Sequence, residues 1–247
     1  TVSGEAALSG LLLWLLSRRQ PGSFRISAAR SREMGRLLRS SWPLAISALS
    51  VILYMRIDQV MLGKMLGDHA VGVFSAAVRI SEFWYFVPIA IAAAVAPPLT
   101  AAHQSNEVEY RRKLLTFVRG LTWIGIVAAV VLSLMSRRVI HVLYGSGYEQ
   151  ASSVLAVHAW AGVFACLGLA SGPWFVNAGL FSLRMTYTLL GAIANCVINL
   201  YAIPRYGPIG AAAATLVSYC LAGFVLNAFS ARSRPVFMLQ MRALTFR

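Results

Sequence analysis

Two neighbouring apolar segments of this chain carry charged residues at positions where a membrane helix would meet lipid. The segment SWPLAISALSVILYMRIDQVMLG contains Arg56 and Asp58, and the segment VGVFSAAVRISEFWYFVPIAIAAA contains Arg79 and Glu82. An ionisable side chain at membrane depth costs several kcal/mol unless it faces protein or water, and such residues commonly mark a substrate or ion path. The four charges therefore restrict the chain to a packed helical bundle in which these side chains avoid lipid.

The apolar surface of the chain is too large for a soluble domain. Hydrophobic residues make up 58% of the 247 residues and charged residues only 12%, whereas about 25% of a soluble domain is charged. A soluble protein of this length has too little interior to bury so much apolar surface. Lipid must cover it, and we predict an all-α integral membrane protein.

Several apolar segments are long enough to cross a membrane, which requires about 20 residues in a helix. Six of them span the full length: 42–64, 71–98, 114–136, 151–171, 185–204 and 208–230. Residues 1–16 resemble the end of a further spanning helix. They are not a signal peptide, because they lack its basic start and its cleavage site. We predict six full transmembrane helices plus a partial one, and we expect an N-terminal part to be missing.

The basic residues are distributed unevenly along the chain, whose net charge is +14. If the six segments alternate in direction, fifteen arginines and lysines lie on one side and four on the other. The fifteen lie in the linker 17–41, the loops 99–113 and 172–184 and the tail 231–247. Cytoplasmic loops carry such an excess, so the linker and the C-terminus are predicted to be cytoplasmic. The pattern explains the positive charge without a nucleic-acid partner.

The four intramembrane charges allow two interpretations. Arg79 and Glu82 are three residues apart and share a helix face, whereas Arg56 and Asp58 are two apart and point to nearly opposite faces. The two helices are antiparallel neighbours, so an ion pair between Asp58 and Arg79, or between Arg56 and Glu82, is within reach. Either the charges form a buried network that orients the helices, or an arginine faces a water-filled cavity and binds an anion. Arginine suits phosphate, because its planar fork donates two parallel hydrogen bonds.

Other chemistry is not indicated by the sequence. The three cysteines and four histidines show no disulfide framework and no metal-ligand spacing. The chain has no phosphate-binding loop and no dinucleotide fingerprint. We therefore expect no metal, no cofactor and no catalytic residue.

Three stretches of the chain resemble a known transporter family. They are RIDQVMLGKMLGDHAVGVFSAAVRISEFWYFVPIAIAAAVAPPLTAA (56–102), VLYGSGYEQASSVLAVHAW (142–160) and ANCVINLYAIPRYGPIGAAAATLVSY (194–219). These stretches are similar to spans of Wzx-type polysaccharide-biosynthesis flippases of the MOP exporter superfamily. The third, with its Asn-rich helix, Ile-Pro-x-Tyr-Gly turn and Gly-Ala-Ala helix, is the most specific.

The resemblance implies a MATE-like two-lobe transporter of which this chain carries the C-terminal bundle. Residues 1–16 would end a helix of the N-terminal lobe, 17–41 would form a basic cytoplasmic linker between the lobes, 42–230 would form the six-helix bundle, and 231–247 a basic cytoplasmic tail. A cavity between the lobes would open to each side of the membrane in turn.

The implied function is translocation of an undecaprenyl-pyrophosphate-linked oligosaccharide across the inner (cytoplasmic) membrane for lipopolysaccharide or exopolysaccharide synthesis. The protein would then be a transporter rather than an enzyme. Arg79 first, and Arg56 second, would bind the pyrophosphate, while Asp58 and Glu82 would serve in ion pairs or in ion coupling. Partners would include membrane lipids and the glycan polymerase and glycosyltransferases of the same pathway.

Three alternatives of different function remain open, and one of them is a membrane scaffold that transports nothing. A cation-coupled multidrug or metabolite antiporter of the same superfamily would need an unpaired acid in its cavity, and the arginines near Asp58 and Glu82 argue against it. A membrane-embedded glycan-assembly enzyme would need a polar loop with catalytic carboxylates, and the longest loop here is rich in arginine.

Overall fold

The computed structural model describes residues 56–245, and those residues form helices joined by short turns. The predicted segments 1–16 and 17–41, and the first part of the span 42–64, lie outside the described residues. The helices are α1 (56–66), α2 (Asp68–Phe83), α3 (Phe86–Ser105), α4 (Glu107–Tyr144), α5 (Glu149–His158), α6 (Ala161–Asn177), α7 (Phe181–Cys220), α8 (Leu226–Phe229) and α9 (Arg234–Leu244). A 3₁₀ turn (Ser146–Tyr148) precedes α5, and a π-helical segment (Leu221–Val225) joins α7 to α8.

Four helical stretches in this part of the chain are long and apolar enough to cross a membrane. They are Asp68–Ser105, Glu107–Tyr144, Ser146–Asn177 and Phe181–Phe229. Their outer surface is apolar: Leu134 is 81% exposed and Val142 is 80% exposed. Such side chains need lipid around them, so the prediction of an all-α membrane protein is confirmed, while the number of full spans stays a prediction.

A sharp turn at Gly207 divides α7 into two arms, 181–206 and 208–220. Gly207 has φ 60° and ψ −141°, a backbone conformation that is essentially restricted to glycine. The arms run antiparallel, because Gly210 lies against the backbone of Ala202 and Gly191 lies against Ser218 and Ala222. The turn occurs between the predicted spans 185–204 and 208–230.

The start of α4 is defined by a capping residue. The side chain of Asn106 accepts hydrogen bonds from the backbone N–H groups of Val108 (2.9 Å) and Glu109 (3.2 Å). These bonds satisfy donors that a helix leaves free in its first turn. The cap begins a helix of 38 residues, which is longer than the predicted span 114–136.

Two apolar clusters hold the bundle together. One joins α1, α2, α5 and both arms of α7 through side chains such as Leu62, Phe74, Leu155, Ile203 and Ala211. The other joins α3, α4, α6 and α9 through side chains such as Leu99, Phe117, Leu167 and Ala243. Helix α1, which carries Arg56 and Asp58, is thereby packed next to α7.

The predicted tail 231–247 contains a helix that packs on the bundle. Within α9, Gln240 is fully buried and donates to the Ser171 hydroxyl (2.9 Å) and to the Gly223 carbonyl (2.8 Å). It also accepts a bond from Asn227 (3.1 Å). The Gly223 carbonyl belongs to the π-helical segment, where the ordinary helix bonding is interrupted. This polar network attaches α9 to the membrane helices.

Candidate functional site

Asp58 is the most deeply buried charged residue of the four identified from the sequence. It lies on α1 and is 6% exposed. One carboxylate oxygen accepts a bond from the Thr215 hydroxyl (2.7 Å), and the other accepts a short bond from the Asn199 amide. A carboxylate in such a place must be compensated by hydrogen bonds or charge.

The groups around Asp58 come from the two arms of α7. Asn195 and Asn199 are on the first arm and Thr215 is on the second, and the three are between 0% and 5% exposed. The Asn199 amide also donates to the Asn195 side-chain oxygen (3.1 Å). The turn at Gly207 therefore brings two separate stretches of sequence to one carboxylate, and we call these four residues the Asp58 cluster.

One acceptor of the Asp58 cluster is left without a donor. The side-chain oxygen of Asn199 is buried and has no hydrogen-bond partner among the described residues. A buried polar atom of this kind calls for an explanation, such as a water or an ion. The cluster thus presents several oxygen atoms, those of a carboxyl group among them, in a small buried volume, and oxygen ligands suit a proton or a hard cation.

The hydrogen-bond partners of Asp58 are uncharged. Within residues 56–245 it forms no ion pair with Arg79, and Arg56 forms none with Glu82. Glu82 is partly buried on α2, where it experiences the charges of both Arg56 and Asp58. The structure therefore brings Arg56, Asp58 and Glu82 into one region without the direct ion pairs that were within reach.

Arg79 lies elsewhere, on an exposed face of α2. It lines a groove of about 560 Å³ between α2 and α4, together with Ile80, Phe83 and Trp84 of its own segment and apolar residues of α4. Apart from Arg79, the lining residues are apolar or aromatic. We call this the Arg79 groove, and it combines one cationic side chain with a surface suited to hydrocarbon.

A buried histidine joins α2 to α5 close to Glu82. The Ser81 hydroxyl and the His158 Nδ1 are 2.7 Å apart, and both residues are at most 3% exposed. Ser81 also donates to the backbone carbonyl of Val78 (3.0 Å), so His158 is the donor in the Ser81 contact when both bonds are made. The pair holds the helix that carries Arg79 and Glu82 against the bundle.

Asn195, Asn199 and Thr215 were not identified as site residues from the sequence. The motif that contains them was noted only as a sign of family membership. One signal was present: Asn195 and Asn199 are four residues apart, so both amides point from one face of an apolar helix. Their connection to Asp58 depends on the Gly207 turn, which spacing alone does not reveal.

The described residues contain no group of three or more His, Cys, Asp or Glu side chains that could hold a metal ion.

The chain has recognisable relatives among known proteins. Residues 3–153 match the model of a family described as polysaccharide biosynthesis protein. The chain is 27% identical over 173 residues to a probable flippase, AglR, of Haloferax volcanii, covering 68% of this chain and 36% of that protein. It is 22% identical over 185 residues to the capsular polysaccharide biosynthesis protein CapF of Staphylococcus aureus, covering 73% and 46%.

A third relative is the probable low-salt glycan biosynthesis flippase Agl15 of Haloferax volcanii, which is 20% identical over 225 residues, covering 89% of this chain and 48% of that protein. The chain thus spans less than half the length of these relatives. No solved structure matches it. Because the family model matches more than half of the chain, and the flippase names agree with the resemblance seen in the sequence, the chain belongs to the polysaccharide biosynthesis protein family, as a Wzx-type flippase relative.

Proposed function

We propose that the protein translocates an oligosaccharide linked to undecaprenyl pyrophosphate across the inner (cytoplasmic) membrane by alternating access. The names of the relatives AglR and Agl15 support a flippase of glycan biosynthesis. The helical, apolar architecture of the described residues supports a multi-pass membrane protein, and the distribution of basic residues supports a cytoplasmic C-terminus. Glycosyltransferases and a polymerase of the same pathway would be its functional partners.

The Arg79 groove is the observation that carries this proposal. A lipid-linked glycan has an anionic phosphate group and a long hydrocarbon chain, and the groove offers one cation beside an apolar surface. The planar guanidinium would hold two phosphate oxygens at once, and the low dielectric of its surroundings would strengthen that contact. Arg56, exposed on α1, is the second candidate for contact with the phosphate.

Asp58 is our candidate for ion coupling, with Glu82 as its neighbour. A carboxylate whose hydrogen-bond partners are uncharged can take up a proton or a sodium ion without displacing a basic residue. Uptake would change the charge of the Asp58 cluster, which ties α1 to both arms of α7. The resulting shift between the helices would link ion binding to the opening and closing of the transporter.

Replacement of Arg79 tests the proposal. Arg79→Ala in the full-length protein should abolish export of the surface glycan while its membrane level stays unchanged, because the phosphate loses its cation. Arg79→Lys should restore only part of the export, since lysine lacks the fork. Arg138→Ala, which removes an exposed arginine of α4, is the matched control. Normal export by Arg79→Ala would contradict the cargo-binding role.

A cation-coupled antiporter is the second candidate. The arginines near Asp58 in the sequence argued against it, but the hydrogen-bond partners of Asp58 in the structure are uncharged, which favours it. The acid that such a protein needs is present without a basic partner among the described residues. The two candidates differ in their cargo. If lipid-linked glycan accumulates on the cytoplasmic side of the membrane in a deletion strain, the protein is the flippase. If the amount and location of the glycan are unchanged and the strain becomes more sensitive to cationic compounds, the protein is the antiporter.

A glycan-assembly enzyme is a further alternative, and the same strain distinguishes it. Loss of an assembly enzyme would leave shortened or incomplete glycans, whereas loss of a flippase leaves complete repeat units on the wrong side of the membrane.

A further inference from the structure

A second apolar groove lies between α3 and α4, in addition to the Arg79 groove. It has a volume of about 430 Å³, and its walls are formed by side chains such as Ile91, Val95, Leu99, Phe117 and Ile124. At one end it is bordered by Arg112 and Lys113, near the start of α4. We call it the Arg112 groove; like the Arg79 groove, it combines an apolar wall with a basic border.

Two local features of the sequence keep this groove open. Pro97 and Pro98 lie inside α3, where proline removes backbone hydrogen bonds and bends the helix. On the opposite wall Gly120 has no side chain, and a Cβ placed there would meet no atom within 4 Å. Space that a side chain would normally fill is therefore left empty along the wall of α4.

The two grooves lie along one face of α4. Lys113 borders one groove and Val131 the other, and they are 18 residues apart, which is about five turns of helix. Intervening members of the walls, such as Gly120, Ile124 and Ala128, follow at intervals of three or four residues, as expected for a single face. At about 1.5 Å per residue this face is roughly 27 Å long.

Arg112 is available to bind an anion at the border of its groove. Its two neighbours are engaged, because Arg111 pairs with Glu107 (2.7 Å) and Lys113 pairs with Glu109 (2.6 Å). Arg112 itself is exposed and forms no ion pair within residues 56–245. Of the three basic residues 111–113, it is the one that forms no ion pair with a described residue, and its donors can meet a phosphate.

We propose that this face of α4 binds the chain of a polyprenyl phosphate lipid, with Arg112 as a phosphate contact at one end and Arg79 as a contact toward the other. This inference rests on the proposed function and adds to it a route for the lipid and an early phosphate site. The basic-residue distribution predicts that the Arg112 end is cytoplasmic, which is the side where a lipid-linked glycan is loaded.

The length of the face argues for a polyprenyl chain and against an ordinary phospholipid. The hydrocarbon core of a bilayer is about 30 Å thick, so a phospholipid acyl chain reaches only about half of it. A face of roughly 27 Å with a cation toward each end matches a lipid whose chain is longer than one leaflet. Charge complementarity at Arg112 then places the phosphate at the border.

Photo-crosslinking tests this proposal on the full-length protein in phosphatidylcholine nanodiscs. The probe is undecaprenyl phosphate carrying a photoreactive group on its chain. Gly120→Leu fills the groove at an open position, and Gly172→Leu is its control, because a Cβ at Gly172 in α6 also meets no atom within 4 Å. Arg112→Gln removes the phosphate contact, and Arg111→Gln is its control.

We expect Gly120→Leu and Arg112→Gln each to weaken probe binding about tenfold, the loss typical of one charged or packed contact, while both controls bind as wild type. Undecaprenol and phosphatidylglycerol should compete poorly. Unchanged binding by either test variant, or equal competition by either of these lipids, overturns the proposal. Crosslinking measures lipid binding and requires no transport. A negative crosslinking result would therefore contradict the lipid route along α4, whereas a negative export test on Arg79 would contradict the proposed function.

Discussion

At the scale of single residues, the main result is the environment of Asp58. The sequence predicted a buried acid close to arginines, whereas the structure surrounds it with two asparagines and a threonine. Uncharged donors hold a carboxylate in place without neutralising it. Asp58 is therefore an acid without a basic hydrogen-bond partner among the described residues, as a coupling residue would need to be.

Asp58→Asn separates a coupling role from a structural one. We expect export to fall at least tenfold, because the amide cannot take up a proton or a cation. We expect thermal stability to be unchanged or raised, because the desolvation cost of a buried charge disappears. Export and the melting temperature of the purified protein should be measured together.

The control is Asp68→Asn, which changes an exposed acid in the first turn of α2 and should alter neither quantity. If Asp58→Asn lowers stability and export in proportion, the carboxylate is structural and the coupling proposal fails.

At the scale of helices and turns, close packing of the two arms of α7 determines the site. Gly210 lies against the backbone carbonyl of Ala202, and Gly207 has a positive φ. Glycine is needed at position 210 because a side chain would collide with the carbonyl, and at position 207 because other residues are strained at a positive φ. Because Asn199 and Thr215 lie on opposite sides of this turn, any displacement of the arms also displaces the donors of Asp58.

Gly210→Ala should destabilise the protein, because its methyl group would overlap a backbone atom that cannot move aside. Overpacking of this kind costs about 1–3 kcal/mol, and it should appear as a lower melting temperature in detergent. Gly172→Ala places the same methyl group in open space on α6 and should be neutral or slightly stabilising, as expected from helix propensity. Equal melting temperatures for the two variants would show that the arms are not tightly packed.

At the scale of the whole molecule, the orientation in the membrane decides which groove meets the cargo first. The Arg112 groove lies near the start of α4 and the Arg79 groove reaches the last turn of the same helix, at Tyr144. The positive-inside pattern predicts the first end to be cytoplasmic. A lipid loaded in the cytoplasm would then pass from Arg112 toward Arg79.

Cysteine labelling tests this orientation. In a protein whose three native cysteines (Cys166, Cys196 and Cys220) are replaced by alanine, we expect Thr245→Cys to react with an impermeant maleimide in inverted vesicles only. Ser146→Cys, in the exposed turn before α5, should react in right-side-out vesicles only, because the positive-inside pattern predicts that the two positions lie on opposite sides. The reverse pattern would place the C-terminus outside the cytoplasm.

The sequence by itself determined the class of the protein and the approximate positions of its apolar helices. Composition requires a lipid environment, and an apolar run of about 20 residues predicts a spanning helix whatever its neighbours, so 71–98, 114–136 and 151–171 all fall in helical stretches. Charge at membrane depth identified Asp58 as unusual. The Ile-Pro-x-Tyr-Gly turn of the family resemblance (203–207) lies at the boundary between the predicted spans 185–204 and 208–230, because glycine and proline act through the local backbone.

Only the tertiary structure decided what each charge contacts. Asp58 is separated from Asn199 by 141 residues and from Thr215 by 157, and no local pattern links positions so far apart. The packing of α1 against the two arms of α7 makes that connection, while Arg79 faces a groove on another side of the bundle. Contacts between helices depend on which faces pack together, and this depends on how the side chains of all the helices fit against one another.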